Sequence, residues 1–409
     1  MPAGLGDTLD VVWALPFAGL LLTIALAPLL TPRFWHHHYG KVAAFWGIGF
    51  GLPFAALYGV QTALHTVLDA CLLEYLPFIV LLGALYIVAA GIRLTGTPHA
   101  TPAVNSAFLL GGMMAASIVG TTGAAMLLIR PLIRANRRRR HVTHVIVFFI
   151  VLVASIGGAL SPLGDPPLFL GFLQGVPFFW PTRYLAAPTA AVGLVLLVLF
   201  YAIDSHYHRR TPRGDPSAVG EIEKLGIAGK GNLILLLAIT AIVLLSGIWQ
   251  PGIVITVLDV PLAGQRLLAI VPLVAVSGLS LHLTPPGIRH ANDFAWAPML
   301  EVAILFAAIF LTIVPVLAIL HHRAADGVLG RLDDRSYFWA TGLLSAFLDN
   351  APTYLLFFNL AGGDAADLAG PQAATLIAIS AGSVFFGALT YIGNAPNLMV
   401  KAIAEKGAS

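Results

Sequence analysis

Long apolar runs are the feature that most restricts how this chain can fold. Seven stretches of about 20 residues are nearly free of charge, and that is the length a helix needs to cross a ~30 Å hydrocarbon core. They lie near residues 11–31, 41–61, 72–94, 183–204, 231–249, 266–284 and 299–321. Because a backbone in lipid must satisfy its own hydrogen bonds, each run is expected to be helical. The sequence therefore predicts an all-α polytopic membrane protein.

The composition agrees, because charged residues make up only 10% of the 409 residues and apolar residues make up 58%. A soluble domain carries roughly 25% charged residues to cover a surface that faces water. The arginines at 137–140 have apolar flanks, so they indicate a cytoplasmic membrane anchor and no binding of nucleic acid. Cys71 stands alone, so no intramolecular disulfide is expected. The first apolar run lacks the features of a cleaved signal peptide.

Two further apolar regions, 102–134 and 336–361, are too long for one crossing and too short for two. Glycine, proline and polar residues interrupt them at 120–123 and 349–352. A helix that enters the membrane, turns and leaves on the same side fits this length. We therefore predict two re-entrant helical hairpins with tips at these positions.

Two more apolar regions, 142–179 and 370–404, have the length of single spans with an unwound middle. Their interruptions fall at 161–167 and 393–397. Non-helical backbone at membrane depth is tolerated only inside protein or beside a water-filled cavity. Two broken spans and two hairpin tips therefore predict one internal polar site.

The distribution of basic residues predicts the orientation, since cytoplasmic loops carry an excess of lysine and arginine. With the N-terminus outside, most basic residues reach the cytoplasmic side: Arg33, Lys41, residues 134–140, Arg209, Arg210, Arg213, Lys224, Lys230, Arg289, Lys401 and Lys406. The outside keeps Arg183, Arg266 and the charge-balanced stretch 323–335. We expect an integral protein of a bacterial-type inner (cytoplasmic) membrane.

The two broken spans match each other in sequence. Residues 158–167 read GALSPLGDPP and residues 387–396 read GALTYIGNAP, an offset of 229 residues. Five of the ten positions are identical, and three more are Ser/Thr, Leu/Ile and Asp/Asn exchanges. The same offset brings one hairpin tip onto the other and aligns spans 41–61 and 72–94 with the later ones. The chain therefore contains an internal repeat.

The repeat divides the chain into residues 1–230, which include a cytoplasmic linker, and residues 231–409. Counting crossings places the second half in the opposite orientation, which is the inverted-topology architecture of many alternating-access transporters. The offset also predicts a partner for span 183–204 that would start near residue 412. We therefore expect that the second half lacks a final helix in this sequence.

The predicted breaks carry the residues suited to binding an ion or a small solute. Carboxylates are rare in membrane spans and usually functional, and neutral oxygens suit a hard cation such as Na⁺. The candidates are Asp165, Asp349, Asn350, Asn394, Asn397, Thr121, Thr122, Ser161 and Thr390. The helix-breaking residues beside them are Gly120, Gly123, Gly164, Pro167, Pro352, Gly393 and Pro396.

Each candidate also has a structural explanation. Asp165 and Asp349 could cap the adjacent helix fragments, and the threonines could satisfy backbone carbonyls. Glu74, Glu301 and His144 could lie at the membrane interface and take no part in coupling. No ATP-binding loop, nucleophile elbow or His-Glu-x-x-His pattern is present, so we expect neither an enzyme nor an ATP-driven pump, and no cofactor or resident metal.

Together, the order hairpin, broken span, linker, hairpin, broken span, with GDPP and DNAP at two breaks, resembles the ion-transporter superfamily. Within it the chain is similar to the arsenite-permease/sodium–proton antiporter branch, and especially to its citrate-transport family. The resemblance implies a homodimer with a scaffold part and a moving part. Carboxylate symporters of the superfamily typically carry Ser-Asn-Thr at the tips, whereas here the tips read GTTG and DNAP.

The charge of the site favours one transport class over the others. Two carboxylates repel a citrate trianion, whereas either carboxylate can accept a proton or a cation. Sodium/proton antiport by alternating access is therefore the first expectation. Cation-coupled transport of citrate or another anion is the second, and an ion channel is a remote third.

Overall fold

The computed structural model describes residues 9–96, 100–137, 139–210, 226–249, 251–257, 260–325, 332–390 and 393–408. Arg138, Arg213 and Lys224, three of the basic residues used for the orientation, lie outside the described residues, as does part of the stretch 323–335. The described chain is almost entirely helical, which confirms the predicted fold class.

The described residues of the first half form nine helices: α1 (Leu15–Leu30), α2 (Pro32–Tyr58), α3 (Val60–Asp69), α4 (Leu76–Ala89), α5 (Pro102–Val119), α6 (Thr121–Asn136), α7 (Thr143–Leu152), α8 (Pro166–Leu173) and α9 (Trp180–Arg210). Single 3₁₀ turns precede α1 and follow α7, and a π-helical turn at Ala70–Tyr75 joins α3 to α4.

In the second half, the part of the chain that the structure describes forms ten helices: α10 (Gly231–Ile248), α11 (Gly264–Leu283), α12 (Pro286–Ala291), α13 (Ala297–Thr312), α14 (Val314–Ala325), α15 (Asp334–Phe347), α16 (Asn350–Leu360), α17 (Ala365–Ala369), α18 (Ala373–Phe386) and α19 (Ala395–Ala408). Two short antiparallel strand pairs complete the described chain. They are β1 (Arg93–Thr95) with β2 (Gly226–Ala228), and β3 (Val254–Val257) with β4 (Val260–Ala263).

Eight segments among the described residues are long and apolar enough to cross a membrane. Six of them overlap the predicted full spans, and α11 accounts for the seventh prediction. The other two are α5 and the segment Thr143–Leu160. Two spans begin earlier than predicted: residues 32–40 are the first turns of α2, and the segment predicted from residue 72 is helical from Val60. Pro32 suits the first turn of a helix, and α2 continues through Pro53 as far as Tyr58, before Gly59, whose φ is +89°.

The helices break at the predicted positions. Helix α5 ends at Val119, Gly120 has a φ of +79°, and α6 begins at the next residue. In the second hairpin, α15 ends at Phe347 and α16 begins at Asn350. Pro167, Pro352 and Pro396 all lie in the first turn of the helix that follows a break. Backbone N–H groups in a first turn have no acceptor within the helix, so proline, which lacks the N–H, breaks no hydrogen bond there.

Apolar packing surrounds the breaks on both sides. The larger cluster of buried side chains joins α4, α13 and α16, with Phe78 stacked on Phe306 at 4.8 Å between ring centroids. A second cluster joins α5, α6, α7 and α9 around Ile129, Phe149 and Phe200. The breaks therefore lie inside protein, as non-helical backbone in a membrane requires.

Candidate functional site

Each hairpin tip is hydrogen-bonded to the break of the span that follows it in sequence. The Thr121 N–H donates to the Gly164 carbonyl at 2.9 Å, and the Asn350 N–H donates to the Gly393 carbonyl at 3.2 Å. The Ser161 hydroxyl donates to the Ser117 carbonyl. The Thr390 hydroxyl donates to the Ala346 carbonyl at 2.5 Å. In both pairs of bonds the two members are related by the offset read from the sequence.

Glycine permits the close approach of backbones at these breaks. A Cβ on Gly164 would lie 2.1 Å from the Gly158 carbonyl oxygen, and one on Gly393 would lie 2.6 Å from the Ser345 carbonyl oxygen. Both distances are far below van der Waals contact. Gly123 is less constrained, because an added Cβ would meet side-chain atoms and no backbone, the nearest being the Ala89 Cβ at 3.0 Å.

Gly164→Ala should therefore destabilise the protein by about 1–3 kcal/mol or more, because the break must open to admit the methyl group. Gly111→Ala is the matched control, since that helical glycine has no heavy atom within 4 Å of an added Cβ. Denaturant unfolding in detergent measures both variants. Equal free energies of unfolding for both would contradict the close-packed break.

Asp165 is the centre of the polar cluster. Its Oδ1 accepts from the Asn394 side-chain amide at 3.2 Å, and its Oδ2 accepts from the Asn350 amide at 2.8 Å. The Thr121 hydroxyl lies 3.5 Å from Oδ1. All four side chains are buried. The carboxylate of one half is thus bonded by amides from the hairpin tip and the broken span of the other half.

The two carboxylates differ in what they do for their helices. Asp349 caps α16, because its Oδ1 accepts from the Ala351 N–H at 3.0 Å. Asp165 precedes α8 in the N-cap position, yet its side chain makes no capping bond. The capping explanation therefore holds for Asp349 and fails for Asp165, whose buried charge needs another reason.

Other predicted site residues bond to backbone and do not reach Asp165. The Asn397 amide donates to the Gly387 carbonyl at 2.7 Å, and its Oδ1 accepts from the Ser155 hydroxyl at 3.0 Å. Thr390 also accepts from the Gly393 N–H at 3.1 Å. These side chains, like Ser161, hold the unwound segments in shape. Thr122 is partly exposed and faces the cavity described next.

A cavity of about 110 Å³ lies beside the cluster. Its polar lining includes Thr121, Thr122, Asp165, Asp349 and Asn394, and its walls are mostly apolar. The volume is enough for several waters, since one water needs roughly 10–15 Å³ on this measure. Among its described lining residues there is no lysine, arginine or histidine. Carboxylate, amide and hydroxyl oxygens are the ligands of hard cations, so the cavity can take a cation and offers no side-chain cation to a bound anion.

Four helix N-termini converge on the same place, those of α6, α8, α16 and α19. A helix N-terminus carries a partial positive charge from its free N–H groups. These ends partly offset the charge of the carboxylates. They are also the feature of the site that could attract an anionic solute.

Three polar residues discussed for coupling lie elsewhere. Glu74 accepts from the Gln174 amide at 3.4 Å, and Glu301 accepts from the Trp35 indole N–H at 3.0 Å. His144 contacts Asp204 at 2.7 Å between Nε2 and Oδ1. Asp204 was not among the predicted site residues, although a lone acid near the end of a 31-residue apolar helix indicates a buried ion pair.

Helices long enough to span a membrane, together with four helix breaks around a cavity that contains carboxylate, amide and hydroxyl groups, define a membrane transporter. A family model described as “Putative citrate transport” matches residues 6–408, and the chain belongs to that family. The resemblance read from the breaks is thereby confirmed. A comparison with curated proteins finds no match.

Proposed function

We propose that this transporter exchanges sodium for protons by alternating access. The observation that carries the proposal is the bonding of Asp165, a buried carboxylate bonded by residues of both halves of the chain. No cationic side chain is present among the described residues that line the cavity. A buried charge without an opposite charge beside it is costly even when it is hydrogen-bonded, so Asp165 needs a bound cation or a proton. Either one can neutralise it, which makes their binding mutually exclusive.

Alternating access requires two arrangements of the same site, and an inverted repeat supplies them. The bonds Thr121–Gly164 and Asn350–Gly393 support the repeat, since equivalent tips bond to equivalent breaks. Asp165 and Asn394 are themselves equivalent positions that bond to each other. A homodimer in the inner membrane with its N-terminus outside completes the proposal.

The test is sodium-driven proton movement in proteoliposomes that contain the purified protein and an internal pH dye. An inward sodium gradient should drive protons out of the vesicles and raise the internal pH. An equal choline gradient should leave the internal pH unchanged. Asp349→Asn should abolish the response while leaving membrane insertion intact, because the amide keeps the shape without an exchangeable proton. No sodium-dependent pH change in the unsubstituted protein would overturn antiport.

Cation-coupled transport of citrate is the second candidate, and the four converging helix N-termini favour it. A citrate carboxylate could lie at these ends once cations have neutralised Asp165 and Asp349. The same vesicles with radiolabelled citrate separate the two functions. Sodium-dependent citrate uptake without proton exchange would move this candidate ahead.

A further inference from the structure

The cavity at the helix breaks has two unlike sides. One side carries the carboxylates of Asp165 and Asp349 together with amide and hydroxyl oxygens. The other side is an apolar wall, which we define by six of its side chains: Phe78, Leu82, Leu85, Phe169, Val302 and Phe306. A hard cation such as Na⁺ needs only the oxygens. The apolar wall therefore needs a separate explanation.

Residues of α4, α8 and α13 build the apolar wall. Phe78 of α4 stacks on Phe306 of α13 with 4.8 Å between ring centroids, and Phe169 of α8 lies 6.4 Å from Phe78. These three side chains are at most 6% exposed. Between α4 and α13, a Cβ on Gly83 would lie 3.6 Å from the Met299 Cε. The wall is therefore a packed part of the protein interior and not a surface that faces lipid.

The apolar wall meets the polar side at the first hairpin tip. A Cβ on Gly120 would lie 3.6 Å from the Leu85 Cδ1, so Leu85 lies against the tip. The next residue along the tip is Thr121, whose hydroxyl is 3.5 Å from Asp165 Oδ1. Both sides line one and the same cavity. A ligand in the cavity can therefore contact the apolar wall and the carboxylates at once.

Size and charge restrict which ligand fits both sides. A water needs roughly 10–15 Å³ of such a cavity, so about 110 Å³ has room for about eight heavy atoms. The described lining residues include two carboxylates and no lysine, arginine or histidine, which favours a cation over an anion. Carboxylates also accept N–H bonds, and hydrogen bonds between charged groups are the strong ones. The complementary ligand is a small protonated amine with an apolar chain.

We propose that the cavity binds amphipathic primary amines, with the ammonium group at the carboxylates of Asp165 and Asp349 and the alkyl chain on the apolar wall. Such an amine, like the lysine side chain, is cationic at neutral pH. The inference rests on the proposed function in one respect, that the carboxylates bind a cation, and it adds a second class of ligand to the same site. If sodium occupies that site, as antiport requires, amine and sodium exclude each other. Choline, which has no N–H donor and no apolar chain, lacks both features of the ligand.

The test measures how n-alkylammonium ions displace radiolabelled hexylammonium from the purified protein in lipid nanodiscs. Empty nanodiscs give the amount of label held by lipid, which is subtracted. From methylammonium to hexylammonium the affinity should rise by about fourfold for each methylene group that the wall buries. The rise should stop once the amine exceeds the cavity, at about eight heavy atoms. Hexanol has the chain without the charge, so it should bind at least about tenfold more weakly than hexylammonium.

Val302→Thr tests the apolar wall, because threonine keeps the shape of valine and replaces one methyl group with a hydroxyl. It should weaken hexylammonium binding by about fourfold and leave methylammonium binding within about twofold. Val80→Thr is the matched control, since Val80 is a partly buried valine of α4 and is absent from the described cavity lining. It should leave both affinities unchanged. Asp349→Asn should weaken the binding of both amines by about tenfold or more.

Sodium separates this inference from the proposed function, because sodium should also displace hexylammonium if antiport uses the same carboxylates. Displacement by amines with the expected dependence on chain length, but none by sodium, supports the amine site and counts against the sodium site. Equal affinities for methylammonium and hexylammonium overturn the amine site. So do equal effects of Val302→Thr and Val80→Thr, or displacement by hexanol as strong as by the amine. In those cases antiport is decided by the pH dye measurement alone.

Discussion

Asp165→Asn should reduce sodium-driven proton movement by about 100-fold or more, and exchanging the two residues in Asp165→Asn/Asn394→Asp should restore part of it. The single variant removes a carboxylate that both hairpin tips approach. An amide in its place would also present its own N–H₂ group to the donors of Asn350 and Asn394. The charge of the site and one of its two acceptor oxygens are then lost.

The exchanged variant tests the position of the charge. Asp165 Oδ1 and Asn394 Nδ2 lie 3.2 Å apart, and the two residues occupy equivalent positions at the ends of the two unwound segments. Moving the carboxylate to residue 394 keeps one negative charge, one amide and the hydrogen bond between them. Recovery is expected to be partial, because Asn350 Nδ2 and Thr121 Oγ1 are arranged around Asp165.

Glu74→Gln is the control for the loss of an acid elsewhere in the chain. Glu74 bonds to Gln174 and is absent from the cavity lining, so this variant should be close to normal. The assay is the pH dye measurement in proteoliposomes with a sodium gradient. Normal proton movement in Asp165→Asn would show that this carboxylate serves only the structure of the break.

Asp204→Asn should lower the free energy of unfolding by about 3–5 kcal/mol, because it leaves Arg139 buried without its counter-charge. Arg139 contacts Asp204 at 2.6 Å and 3.0 Å through its two terminal nitrogens. Asn105 donates to the same carboxylate at 3.0 Å, and His144 lies 2.7 Å away. This cluster joins α5, α7 and α9 around one fully buried acid.

A second ion pair provides the matched control. Arg130 and Asp293 lie 3.0 Å apart, but the Asp293 side chain is 80% exposed. Asp293→Asn should therefore cost less than about 1 kcal/mol. Asparagine also tolerates the positive φ of 46° at this position.

Denaturant unfolding in detergent measures both changes. The double variant Asp204→Asn/Arg139→Met should recover most of the loss, since it removes the buried charge that Asp204→Asn leaves behind. A similar small effect for Asp204→Asn and Asp293→Asn would contradict the buried pair. Neither substitution touches the cavity at Asp165, so residual transport reports on stability alone.

The sequence by itself determined the spans and the breaks. Runs near 20 apolar residues fixed the helices because lipid leaves the backbone no other partner. Glycine, proline and polar clusters fixed the interruptions, since those residues disfavour a continuous helix wherever they occur. Both signals are local, so they can be read without knowing which segments meet. The match between residues 158–167 and 387–396 then paired equivalent positions, and the equivalent tip-to-break bonds follow that offset.

Only the tertiary structure decided what each polar side chain does. Asp165 and Asp349 look alike in sequence, yet Asp349 caps its own helix and Asp165 bonds to residues 185 and 229 positions away. Ser161, Thr390 and Asn397 hold backbone, and Asp204 pairs with an arginine 65 residues earlier. A hydrogen bond depends on the distance and angle between two atoms. For atoms on distant segments, that geometry is set by how the helices pack and not by any local pattern.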